Sequence, residues 1–325
     1  MFIKLLFLIL TNNTPILLLP GLGGSRLIKN NIDIWPPKLS FFIFEHNRWI
    51  DQIINDKNLQ TLDFGDKNAL DLHTNIPLII KKNLYEDIMS NNDNVYPIPY
   101  DFRLVNDIEY INMFNAKLKV YIESFNQPVK ILTHSTGGLI LHYFIYMQTE
   151  EWNNKHILEI IHVNVPFGGI IITLENLIKT TQLNLLVSKK LLKSLGAYII
   201  NMPNPKIIKP ILIVDGKEVD YYRYFNLTNT KIKDMIDSFD QKNDIKTTLI
   251  YSSNVKTSSI INIKNNKLHI IKGLGDGIVP LSSLLYPMSW NKKNLNIIHL
   301  PNYDHSTVLF SKELNNILHD LDEFN

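Results

Sequence analysis

Short apolar runs alternate with amphipathic segments along most of this chain. That is the pattern made by strands buried on both faces of a parallel sheet, with helices laid across it. The first run, residues 15–19, is stopped by Pro20-Gly21. The second, residues 129–133, leads straight into His134-Ser135-Thr136-Gly137-Gly138. A helix is predicted over 139–148, and a third strand over 157–165 closed by Pro166-Phe167-Gly168-Gly169. Further strands are predicted over 247–252, 267–271 and 295–300, and a closing helix over 311–321. Between about 170 and 246 the alternation loosens, leaving a helical pattern over 183–200 and a Pro-rich stretch over 201–205. We read residues 14–325 as one α/β unit, with helices on both faces of a mostly parallel sheet and a cap inserted at 170–246.

Composition narrows this picture. With 325 residues, 45% of them hydrophobic, the chain can bury one sizeable core. A charged fraction of 20% and a net charge of +2 leave no basic footprint for nucleic acid. The absence of cysteine excludes thiolate zinc sites, redox pairs and disulfide frameworks. Residues 1–13 carry Lys4 ahead of an apolar run too short to span a bilayer. They read equally as an element tucked on the core or as a degraded signal or anchor segment. The location stays open, with a lumenal, secreted or membrane-surface setting slightly favoured.

Candidate chemistry centres on Ser135. A serine between an apolar strand and a helix, with Gly137 two residues on, has the context of a nucleophile elbow. Thr133 stands where G-x-S-x-G has its first glycine; a plain Ser-Thr-Gly-Gly helix cap is the alternative reading. A serine hydroxyl needs a base to take its proton and a carboxylate to orient that base, in the chain order Ser, acid, His on this fold. Asp276, between glycines after an apolar run, and His305, after the last predicted strand, fit that order. Asp304 and Asp215 are rival turn aspartates. Asp101 precedes the nucleophile and reads as the partner of Arg103 in a buried ion pair. The other histidines lack a strand-end position near the C-terminus; His134 should be pinned inside the elbow.

Acyl transfer also needs two backbone N–H groups aimed where negative charge develops. Thr136, directly after the nucleophile, supplies one. The loop Pro20-Gly21-Leu22-Gly23-Gly24-Ser25 follows the first strand, and its Leu22 N–H is the second candidate. The spacing is not G-x-G-x-x-G and has no P-loop lysine, which disfavours a phosphate cradle.

Taken together, several motifs resemble the lecithin:cholesterol acyltransferase family. They are residues 15–25, Ile34-Trp35-Pro36, Trp49-Ile50-Asp51, Pro99-Tyr100-Asp101-Phe102-Arg103, His134-Ser135-Thr136-Gly137-Gly138, Pro166-Phe167-Gly168-Gly169, residues 275–280 and Asp304-His305. Each is weak alone, but they run in the family's order from about residue 15 to 310. The resemblance implies the α/β-hydrolase fold, a triad on Ser135, Asp276 and His305, and oxyanion donors at Leu22 and Thr136. It implies attack on a glycerophospholipid ester through an acyl-enzyme, with transfer to water or to an alcohol such as a sterol or glyceride, and neither cofactor nor metal. Thr136 stands where a larger apolar residue is usual, the cysteines of the vertebrate members are absent, and the cap is shorter. The partner expected is a phospholipid or other lipid ester at a membrane or lipoprotein-like interface. Trp35, Phe41 and Phe42 are expected to touch that lipid. For a helix over 183–200, with Lys189, Lys190 and Lys193 on one side, packing against core or cap is favoured over lipid contact. Two rivals stand beside this reading: a general carboxylesterase or triacylglycerol lipase with the same triad, and a catalytically inactive lipid-binding protein on the hydrolase fold.

Overall fold

The computed structural model describes residues 14–37, 45–71, 83–183, 189–227, 230–238, 244–290 and 292–323. Residues 1–13, Phe41, Phe42 and the side chains of Lys189 and Lys190 lie outside that description. The described strands, in chain order, begin with β1 (Ile16–Leu19), β2 (Leu27–Lys29), β3 (Ile32–Trp35) and β4 (Val95–Pro97). They continue with β5 (Val129–His134), β6 (Ile157–Val163), β7 (Leu212–Val214) and β8 (Lys217–Glu218). The last are β9 (Lys246–Tyr251), β10 (Val255–Lys264), β11 (Lys267–Gly275) and β12 (Leu295–His299).

A six-stranded sheet in the order β12-β9-β6-β5-β1-β4 forms the centre, and every pairing in it is parallel. Side chains on a strand alternate between faces, so each apolar run feeds two cores at once. Leu17, Leu19, Ile131 and Ile160 pack on one face with Phe114 and Leu118 of the helix Ile108–Ser124 and with Leu141 and Phe144 of the helix Thr136–Met147. Ile16, Leu18, Leu132 and Ile161 pack on the other face with Ile88 and with Leu314 and Leu318 of the helix Lys312–Glu323. Strands β1 and β5 are buried along their whole length, which is why they read as continuous apolar runs rather than as alternating ones.

A smaller sheet, β11-β10-β7-β8, belongs to an accessory lobe. Here the structure corrects the expectation of a fifth parallel strand at 267–271. That segment lies in β11, which pairs antiparallel with β10 and takes no place in the central sheet. The reason is the two-residue turn Asn265-Asn266, with φ of 49° and 58°. Paired positive φ values make a turn whose twist matches the flanking strands and folds them into a hairpin. The lobe has its own core, in which Leu174 and Tyr198 meet Leu212, Ile261 and Ile263. Residues beyond 246 thus join residues 171–221 in one packed unit.

The helical pattern read over 183–200 is divided between the helices Lys189–Ser194 and Gly196–Ile200. Leu195 between them is extended, at φ −82° and ψ 112°. The break sets Gly196 N–H on Arg103 O at 2.7 Å. A Cβ at Gly196 would lie 2.7 Å from the same carbonyl oxygen, so only glycine fits that approach. No helix among the described residues is long and apolar enough to cross a membrane.

Candidate active site

The end of β5 sets the position of Ser135. Its backbone has φ 53° and ψ −128°, a combination L-residues avoid. Every other described non-glycine residue with positive φ is Asn or Asp, the types that tolerate left-handed backbone; Ser135 is the exception. The glycines beyond it make the turn sterically feasible. A Cβ on Gly137 would lie 2.5 Å from Leu19 O, and one on Gly138 would lie 2.3 Å from Val165 Cγ2. Thr133, the departure from G-x-S-x-G, is fully buried, and its hydroxyl pairs with His162 Nδ1 at 2.8 Å on the neighbouring strand.

Three side chains far apart in sequence meet at this turn. His305 Nε2 lies 2.9 Å from Ser135 Oγ, and His305 Nδ1 lies 2.7 Å from Asp276 Oδ2. An ionised carboxylate can only accept, so Nδ1 carries the hydrogen and Nε2 offers its lone pair to the serine hydroxyl. Asp276 is fully buried, and its other oxygen accepts the N–H groups of Ile278 at 2.9 Å and Val279 at 2.7 Å. Those bonds fix the carboxylate's rotation. His305 N–H also donates to Asp276 O at 2.8 Å, tying the two loops together through the main chain.

The rival aspartates are engaged elsewhere. Asp304 is exposed and accepts the N–H groups of Ser306 and Thr307, closing its own turn. Asp215 accepts Asn265 N–H in the accessory sheet. Asp101 pairs with Arg103 at 2.6 Å, both buried, and Arg103 also donates to Ile53 O and Asp56 O at the end of the helix His46–Asn55. That pair joins two segments of the scaffold.

The loop after β1 is held from several sides. Tyr100 hydroxyl donates to Pro20 O at 2.9 Å, Gly24 N–H to Gly21 O at 3.0 Å and Trp35 Nε1–H to Gly23 O at 2.6 Å. Trp35 is half-buried, stacked on Trp49 with ring centroids 5.9 Å apart and edge-on to Phe102 at 5.3 Å. Its indole thus serves the loop, a role its aromatic neighbourhood in the sequence does not reveal. A Cβ placed on Gly21 would lie 3.1 Å from Ser135 Cβ, so the loop runs directly beside Ser135. Neither Leu22 N–H nor Thr136 N–H donates to an acceptor among the described residues. Thr136 is buried, and its hydroxyl accepts Asn201 Nδ2–H at 2.8 Å, linking the elbow to the accessory lobe.

Two residues near the site, Tyr85 and Asn164, carry no signature in the sequence, and both sit close to a third, His134. Tyr85 hydroxyl accepts Gly21 N–H at 2.7 Å and contacts His134 Nδ1 at 3.1 Å. Asn164, at φ 48°, bonds Ser252 in both directions: its amide donates to the hydroxyl at 2.9 Å and its oxygen accepts Ser252 N–H at 2.8 Å. His134, expected to be pinned in the elbow, is buried there with Nε2 3.0 Å from His305 O. Burial and the neighbouring His305 hold its pKa down at about 3, so the ring is neutral.

A central parallel sheet flanked by helices, with a strained serine on a strand-to-helix turn, defines an α/β hydrolase. The solved Tle4-Tli4 complex has this fold, matching with a TM-score of 0.55 over 95% of this chain and 98% of that one at 11% identity. The sequence model of the lecithin:cholesterol acyltransferase family matches residues 78–263, more than half of the chain, and the protein belongs to that family. Asp276 and His305 lie beyond the matched stretch, and it is the three-dimensional arrangement that brings them to Ser135.

Among individual relatives, a phosphatidylcholine-sterol acyltransferase of Oryctolagus cuniculus is 27% identical over 115 residues, covering 34% of this chain and 25% of the relative. A lysosomal phospholipase A and acyltransferase of Canis lupus familiaris is 28% identical over 84 residues, 25% of this chain and 21% of the relative. A lecithin-cholesterol acyltransferase-like 1 protein of Arabidopsis thaliana is 30% identical over 91 residues, 25% of this chain and 21% of the relative. The aligned stretches thus span a quarter or less of these relatives' lengths.

Proposed function

We propose that this protein is a serine acyl hydrolase and O-acyltransferase that cleaves an acyl ester of a glycerophospholipid and passes the acyl group to water or an alcohol. The observation that carries the reading is the unbroken hydrogen-bonded chain from Ser135 through His305 to Asp276. Family membership and the activities for which the relatives are named support the lipid ester as substrate.

In the first half-reaction His305 Nε2 takes the Ser135 proton as Oγ attacks the ester carbonyl carbon. Asp276 stabilises the imidazolium and holds its orientation. The carbonyl oxygen becomes an oxyanion, for which the Leu22 and Thr136 N–H groups are the donors; each such donor contributes on the order of 3 kcal/mol to the transition state. As the intermediate collapses, the C–O bond to the lysolipid breaks and His305 Nε2–H protonates the leaving oxygen. Water or an alcohol then gives its proton to His305 Nε2 as it attacks the acyl-enzyme carbonyl, and when the second intermediate collapses the C–Oγ bond breaks and His305 returns that proton to Ser135 Oγ. The accessory lobe formed by residues 171–221 and the β10–β11 hairpin is the cap in this reading, touching the elbow through Asn201 and Thr136.

Incubation with phosphatidylcholine vesicles, with and without a sterol or fatty alcohol, tests the proposal. Free fatty acid and lysolipid should form, with an acyl ester when the alcohol is present, and Ser135→Ala should abolish all three products. Activity on soluble esters and triacylglycerol with none on phospholipid would favour the general lipase reading. A folded protein that releases no acyl product and resists a fluorophosphonate probe would overturn the proposal.

A further inference from the structure

Two structures that must stay aligned for acyl transfer, the loop after β1 and the loop bearing His305, are joined by a third set of contacts behind the triad. His305 O can only accept, so His134 Nε2, 3.0 Å away, bears a hydrogen and donates it. In a neutral imidazole the other nitrogen is then a bare acceptor, so Tyr85 hydroxyl donates to His134 Nδ1 at 3.1 Å. The phenol oxygen's lone pairs in turn accept Gly21 N–H at 2.7 Å. The result is one directed chain: Gly21 N–H to Tyr85 oxygen, Tyr85 O–H to His134 Nδ1, His134 Nε2–H to His305 O. Burial removes the alternatives, since it keeps His134 neutral and pushes the Tyr85 phenol pKa up so that it retains its proton.

Each end of the chain abuts the chemistry. Gly21 immediately precedes Leu22, and the peptide between them has its oxygen tied to Gly24 N–H at 3.0 Å. In a trans peptide the Leu22 N–H points opposite that oxygen, so fixing Gly21 on both its N–H and its C=O sets the donor's direction. At the other end, His305 O also accepts Asn164 Nδ2–H at 3.4 Å, while His305 N–H is held by Asp276. The rings of His134 and His305 lie 5.1 Å apart between centroids, tilted by 41°.

We propose that Tyr85 and His134 are positioning residues that lock the oxyanion loop to the main chain of the catalytic histidine, so that donor and base keep their spacing about Ser135. The inference rests on the acyl-transfer reading above. It assigns neither residue a contact with substrate: both act through Gly21 and His305. Hydrogen bonds in such a series polarise one another, and cutting any link weakens both ends.

Hydrolysis of a short soluble p-nitrophenyl ester by the full chain, with rates expressed per active site titrated by a fluorophosphonate, provides the test. Tyr85→Phe and His134→Leu should each lower kcat per titrated site by roughly tenfold or more, within the hundred- to thousandfold cost of losing an oxyanion donor outright. KM should stay within about twofold, because the lost alignment matters in the transition state rather than in ester binding. The double variant should be little worse than the poorer single, since both cut the same chain. His134→Gln should recover much of the loss, its amide N–H reaching His305 O and its amide oxygen taking the Tyr85 proton. An unchanged kcat per titrated site in Tyr85→Phe, strictly additive losses, or a loss confined to the number of titratable sites would overturn the positioning role. Wild-type protein that neither hydrolyses the ester nor labels would instead sink the acyl-transfer reading itself, before any variant is compared.

Discussion

At the scale of single residues, the proposed chemistry turns on a hydrogen atom of His305. Asp276 accepts from Nδ1, which leaves Nε2 bare to receive the Ser135 proton. Asp276→Asn tests this with little change of shape. Its side-chain oxygen still accepts from Ile278 and Val279, but its amide now presents hydrogens to Nδ1. The histidine is driven into the tautomer with hydrogen on Nε2, which cannot act as base. We expect kcat to fall by a factor on the order of ten thousand with KM nearly constant. Thermal melting should confirm that the variant folds, and a kcat within about tenfold of wild type would exclude Asp276 as the orienting carboxylate. That Asp276, Ser135 and His305 come together is legible in the sequence, because strand-end position and chain order are linear properties. Tyr85 and Asn164 are not. Their partners lie 64 and 88 residues away along the chain, and no local pattern distinguishes a tyrosine that will meet Gly21 from one that will not.

At the scale of elements, the sequence is most readable where burial is complete. Strands β1, β5 and β6 announce themselves as apolar runs, whereas β4, only three residues long, offers too little pattern to register. Two hairpins, β2–β3 and β10–β11, escape a reading of the sequence because their turns use Asn-Asn, which an Asn-rich chain makes look incidental. Asn30-Asn31 joins β2 to β3 with φ of 50° and 62°, just as Asn265-Asn266 joins β10 to β11. Asparagine visits left-handed backbone at little cost, while a β-branched residue loses about 1–2 kcal/mol there. Asn266→Val should therefore destabilise the protein by about that amount in urea unfolding, and Asn266→Gly should be neutral or slightly stabilising. The β10–β11 hairpin ends directly at Asp276, so the valine variant should lose esterase activity at lower urea than wild type. Equal midpoints for the wild type and the valine variant would show that the turn does not hold the hairpin as described.

At the scale of the whole molecule, His134 and His162 sit deep in the central sheet region in neutral form. His134 faces Tyr85 and His305, and His162 of β6 faces the Thr133 hydroxyl, His142 and Lys292. Desolvation is the leading cause in both, and lowers each pKa from an ordinary 6.5 to about 3. When the chain unfolds, both rings meet water and regain their ordinary affinity for protons. Between pH 6.5 and about 3 the unfolded state therefore binds more protons than the native state, so stability falls as pH falls through that window and flattens below it. Each histidine contributes about 1.4 kcal/mol per pH unit once fully titrated in the unfolded chain. Urea midpoints measured from pH 7 to 5, above the range where most carboxylates titrate, should thus drop steeply. In His162→Gln the slope should fall to about half, whatever the variant's absolute stability, because glutamine takes up no proton on unfolding. A flat profile in the wild type, or an unaltered slope in the glutamine variant, would mean that His162 is already protonated or solvated in the folded protein. Because native His134 takes up a proton only near pH 3, the Tyr85–His134 link stays intact in every molecule that remains folded between pH 7 and 5, and the acid loss traced to this ring is a loss of folded molecules.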